Sequence, residues 1–135
     1  MPPASTASLR VVALVSLFYD VAVGAALFFG RSLLTQWFGV PAPQPPIHVD
    51  LNAIFVTTIG IGYILPFRDP ERYRAYLWLM GPILKGAGAA AFVLDYLWRG
   101  SPASYLLFAL SDGSLALLTL AMLVRTTRRA AGPGR

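Results

Sequence analysis

The chain has 135 residues, of which 56% are hydrophobic and 13% charged, and its net charge is +5. So apolar a composition exceeds what one soluble core of this size can hide, and lipid is the environment that absorbs the excess. With no cysteine and one histidine, His48, the chain excludes disulfides, thiolate chemistry and any multi-histidine metal site or bis-histidine haem within one copy; no metal or other cofactor is expected.

In chain order, four continuous apolar runs stand out: residues 11–29, 51–67, 76–98 and 103–124. Each is close to the ~20 residues that cross ~30 Å of hydrocarbon as a helix. Continuous runs favour helices over barrel strands, which alternate. The predicted fold is therefore all-α: a four-helix transmembrane bundle, a single integral membrane domain over residues 1–135. The first run could be read as a signal peptide, but it is longer than a usual signal core and Asp20 interrupts it.

The only long connection follows the first span. Its start, "RSLLTQWFGV", places Leu33, Leu34, Trp37 and Phe38 at helical spacing beside Arg31 and Gln36, which predicts a short interfacial helix. The "PAPQPP" that follows cannot continue a helix and predicts an extended return to the membrane. The second span is the shortest. After it, "FRDPERYR" reads as a salt-bridged turn, with Asp69 before Pro70 as a helix cap. In the third span Pro82 predicts a kink. Trp37, Trp98 and Tyr105 suit one aromatic belt, Tyr73 and Tyr76 the other. Residues 125–135, "RTTRRAAGPGR", are expected to be a flexible cytoplasmic tail able to touch anionic lipid.

Arginine placement tests the span count. With four spans, Arg10, Arg68, Arg72, Arg74, Arg125, Arg128, Arg129 and Arg135 fall on one side, and only Arg31 and Arg99 on the other. Positive charge collects in the cytoplasm, so both termini are expected there, in a bacterial inner membrane. The basic residues form no patch within a nucleic-acid-binding motif, and no nucleic acid is expected as a partner.

Asp20, Lys85 and Asp112 lie near the middle of the first, third and fourth runs. Each would cost about 2.5–3.5 kcal/mol at the bilayer centre. They are therefore expected to face inward and meet, with Lys85 pairing with Asp20, Asp112 or both. Small residues surround them: Ser16 and Gly24 at helical spacing from Asp20, and Gly81, Gly88 and Ala89 around Lys85. "SDGS" brings Ser111, Gly113 and Ser114 to the same depth, and the second span offers Asn52, Gly60 and Tyr63 on one face. Two carboxylates against one ammonium leave room for a protonatable group or a cationic ligand. The same cluster could instead serve only to fix helix register. Near the opposite mouth, His48 and Asp50 could meet Asp95 and Tyr96.

Across "GIGYILPFRDPERYRAYLWLMGPILK" the chain resembles a family of small four-span bacterial membrane proteins, through Gly60, Gly62, Tyr63, Asp69, Pro70, Arg72, Gly81 and Lys85. More loosely, size and span count are similar to DoxX-like proteins. The resemblance implies a four-helix membrane bundle and carries no activity with it.

Three functions follow as expectations. The leading one is a binding or accessory protein whose cluster of Asp20, Lys85 and Asp112, with Tyr19, Tyr63 and Ser111 beside it, takes a lipid-like or quinone-like ligand or a partner helix. Asn52 and Asp95 would form its outer mouth. Its partners would be membrane lipids, a second membrane protein or further copies of itself. The second is an intramembrane enzyme on an amphipathic lipid or isoprenoid, which needs a cavity lined by both acids. The third is a proton-coupled transport component, which needs a polar path to both surfaces.

Overall fold

The computed structural model describes residues 4–42 and 44–130, with the side chains of residues 4, 5, 129 and 130 left out. Among them every regular element is helical: α1 (Ala4–Phe29), α2 (Arg31–Phe38), α3 (Ile47–Gly62), α4 (Ile64–Arg68), α5 (Arg74–Trp78), a π-helical segment (Leu79–Lys85), α6 (Gly86–Arg99), a 3-10 turn (Ala103–Tyr105) and α7 (Leu106–Ala130). These make four helices long and apolar enough to cross a membrane, Thr6–Phe29, Ile47–Arg68, Arg74–Arg99 and Ala103–Arg128. The chain is an all-α, four-helix bundle of the multi-pass membrane kind.

The helices run beyond the apolar runs read from the sequence. α1 starts before residue 11, so Arg10 belongs to its first turns. Residues 125–130, expected in a flexible tail, continue α7; 131–135 lie outside the described residues. Arginine explains part of this. Arg74 donates to the Leu123 carbonyl (2.8 Å), Thr126 Oγ1 (2.8 Å) and Thr127 Oγ1 (2.7 Å), so the end of the fourth helix is clasped by the start of the third. Arg10 likewise reaches the Arg68 carbonyl at 3.2 Å, where α4 ends. The turn between them is held by the Arg72 amide donating to Asp69 Oδ1 (3.1 Å) and by a Glu71–Arg74 pair at 3.5 Å. Arg68 is held by neither. α2 ends on Gly39 and α6 on Gly100, both at positive φ (65° and 69°), where a side chain would be strained.

Pro82 does more than kink the third helix. It has no amide hydrogen for the Trp78 carbonyl, and its ring would crowd that carbonyl in an α-turn. The chain answers with the wider π turn from Leu79 to Lys85. Lys85 is the last residue of that turn, so its direction is set by the departure from α geometry.

The four spans form two tight pairs, α1 with α3 and α4, and α6 with α7, joined where α1 meets α7. Packing is uneven along the bundle. Leu9, Ala13, Tyr63, Leu77 and Leu123 are buried together at the end that carries Arg10, Arg68 and Arg74. Towards α2 the helices separate. The large apolar side chains that remain exposed, such as Phe18, Leu97 and Leu110, form the surface that lipid covers.

The two glycines of "GIGY" each make room for a long-range contact. The Tyr76 hydroxyl occupies the place a Cβ at Gly62 would fill. From there it donates to the Ile59 carbonyl at 2.6 Å, and its ring packs edge-on to Tyr63 with centroids 5.2 Å apart. Ile59 has a free carbonyl because the Tyr63 amide bonds Gly60 instead (3.1 Å). Gly62→Ala is expected to displace Tyr76 and lower stability by about 1–3 kcal/mol. Thermal unfolding in detergent measures this, and Gly62→Ala combined with Tyr76→Phe should cost less than the sum of the two changes.

Candidate functional site

Three spans deliver the charged cluster. Asp20 on α1 is fully buried, because Gly60 on α3 lets the two backbones close over it: a Cβ at Gly60 would lie 2.9 Å from Asp20 Cβ and 3.1 Å from the Val21 nitrogen. Lys85, only 6% exposed, comes from the end of the π segment. Gly81, one turn earlier, is pressed against Thr119 of α7 and holds this stretch close to the fourth helix. Asp112 comes from α7, where Gly113 sits opposite Ala89.

Lys85 Nζ bonds Asp20 Oδ1 directly and lies 3.5 Å from Asp112 Oδ1. The ammonium therefore meets both carboxylates, one tightly and one loosely. Its remaining face lies over the Tyr19 ring, 4.9 Å from the centroid, where the π cloud adds attraction in a medium of low polarity. The Tyr19 hydroxyl is 2.5 Å from Ser111 Oγ. Ser111 Oγ also lies 2.9 Å from the Leu107 carbonyl, to which it can donate. Behind Asp20, away from Lys85, the hydroxyls of Ser16 and Tyr63 and the carboxylate Oδ2 are all buried. Ser114 bonds back to Leu110 at 2.7 Å and stays outside the cluster.

The expected outer mouth is built differently. Asp95 pairs with Arg99 (3.0 Å) and accepts from Ser101, which ties down the turn between the third and fourth spans. Asp50 pairs with Arg31 at 3.2 Å. Asp95 and Asp50 therefore each find a nearer cation, while His48 and Asn52 line a cavity. Tyr105, assigned to an aromatic belt, instead leans on Phe92 (6.1 Å between centroids) and lines the interior. Trp37 and Trp98 are 74% and 79% exposed, as belt residues would be.

What the sequence does not announce is a cavity of about 540 Å³ between α2, α3 and the helices of the second pair. Val56 and Ile59 of α3 form one wall and Phe92 and Phe108, stacked at 5.7 Å, another. Arg31, Leu34 and Thr35 of α2 lie over it. Ser104 donates to the Gly39 carbonyl (3.1 Å), fastening the linker after α2 to the turn before α7. At the far end the cavity stops on Asp112, which is 24% exposed. Asp20 and Lys85 are sealed behind it. One signal was present: in an antiparallel hairpin turning after Arg99, the register that pairs Lys85 with Asp112 also pairs Phe92 with Tyr105.

The arrangement is a mostly apolar pocket of the size that encloses small ligands, with one carboxylate at its base. Among the described residues no group of histidine, cysteine, aspartate or glutamate side chains could hold a metal ion. Compared with family models, curated proteins and solved structures, the chain matches none.

Proposed function

We propose that the chain is a ligand-binding protein of the bacterial cytoplasmic membrane, akin to small four-span DoxX-like proteins, which takes up an amphipathic, lipid-like or quinone-like molecule between its second span and the pair formed by the third and fourth. One observation carries this reading: an apolar cavity that ends on a carboxylate of the buried charge cluster. An assembly subunit held only by its helices has no need of such a space. A transport path would have to continue past the cluster, where Tyr63, Leu77 and Leu123 are closely packed. An enzyme using both acids would expose both, and Asp20 is fully buried.

The excess of positive charge supports a cytoplasmic position for the arginine-rich end, with both termini. The cavity then opens towards the outer leaflet. α2 lies in the outer interface, its Leu33, Trp37 and Phe38 turned outward to lipid.

The test is to purify the full chain in mild detergent and identify co-purifying molecules by mass spectrometry. A small amphiphile is expected at about one per chain. Val56→Trp, which fills the cavity, is expected to lose it while the helical content is unchanged. A stoichiometric partner protein with no small molecule would overturn the reading in favour of an assembly subunit.

A further inference from the structure

The charges around the cavity do not balance. Asp20 and Asp112 face one ammonium, Lys85, which is committed to Asp20 and holds Asp112 only at 3.5 Å. Arg31, the other cation at the cavity, is neutralised by Asp50 at 3.2 Å. At formal charges one negative charge is therefore left over, and the less tightly paired carboxylate is the one that forms the cavity floor. A site this far from water favours an occupant that cancels such a charge.

The walls suit a particular kind of cation. Phe92 and Phe108 are stacked beside Asp112, and Phe55 and Tyr105 complete an aromatic lining. Aromatic faces attract alkylated ammonium groups, which give up their hydration easily, better than they attract compact hydrated ions. Elsewhere the lining is aliphatic, so the body of the occupant must be apolar. His48 and Ile59 both touch the cavity and mark roughly 16 Å along α3. The occupant is thus organic, short and singly charged.

We infer that the cavity's ligand is a monocationic amphiphile, with an organic ammonium seated against Asp112 beside the Phe92–Phe108 stack and an apolar body reaching towards α2. This rests on the cavity being a ligand site. It adds the charge and chemical class of the head.

The probes are 4-phenylbutyl-trimethylammonium and its uncharged isostere, in which carbon replaces the nitrogen. Titration calorimetry on the full chain in phosphatidylcholine nanodiscs compares them. The native protein is expected to prefer the cation by about ten-fold or more. Asp112→Asn should bring the ratio near one while leaving the isostere's affinity as it was, and Asp112→Glu should keep the preference. Phe108→Leu should weaken the cation more than the isostere, which gives a second variant if Asp112→Asn fails to fold. Equal affinity of the native protein for both probes would overturn the inference and leave the cavity reading standing. Binding of neither would remove both.

Discussion

Replacing Asp20 by alanine is expected to destabilise the folded bundle by about 3–5 kcal/mol, the largest effect of any single side chain in the cluster. The cause is the charge left behind. Lys85 is 6% exposed and its close partner is Asp20; Asp112, at 3.5 Å, can take over only part of that role. Asp112→Ala should cost far less, about 1 kcal/mol, because the tight pair survives and the lost carboxylate was partly exposed. Lys85→Met leaves two carboxylates close together and should also be strongly destabilising. The double change Asp20→Ala with Lys85→Met removes both members of the tight pair and should recover most of the loss. Unfolding titrations in mixed detergent micelles measure the series. If Asp20→Ala and Asp112→Ala cost the same, the ammonium is not held mainly by Asp20.

Gly60→Val is the second large change. A Cβ alone at residue 60 would meet Asp20 Cβ at 2.9 Å and the Val21 nitrogen at 3.1 Å. The obstacle is partly backbone, which cannot swing aside as a flexible side chain can. Alanine there is expected to cost about 1–3 kcal/mol, and valine more, because α1 and α3 must separate and Asp20 moves off Lys85. Gly88 is the control. A Cβ at that position meets nothing within 4 Å, so Gly88→Ala should change stability by no more than about 0.5 kcal/mol. Comparing the two by thermal unfolding separates close helix approach from glycine's general unsuitability in helices. Equal effects would mean that the contact at Gly60 does not hold the bundle.

The parts of this structure legible in the sequence are those that depend on position along one helix. Four apolar runs gave four spans. Counting inward placed Asp20, Lys85 and Asp112 at one depth, and the cost of charge in lipid implied that they meet. Arginine counts separated the two ends. What depends on how helices lean against each other was not legible. The cavity exists because α3 packs on α1 while α6 packs on α7, and nothing in either helix alone says that the pairs diverge near α2. Pro82 marked a disturbance but not its form, a π turn. Asp95 was assigned to a mouth because its depth matched, yet Arg99 one turn away was the nearer partner. Gly62 had no visible reason until Tyr76, on another span, was found in the space a side chain would need.

The chain contains one lysine, so ζ-nitrogen labelling reports on a single site. Solid-state NMR in lipid bilayers, recoupling this nitrogen with aspartate carboxyl carbons, reads the cluster directly. The expected spectrum shows two aspartates within about 4 Å of the nitrogen, as ion pairing requires, with the stronger coupling lost in Asp20→Asn and the weaker in Asp112→Asn. A lysine nitrogen coupled to neither carboxyl would contradict the buried charge centre, and with it the floor of the proposed binding site.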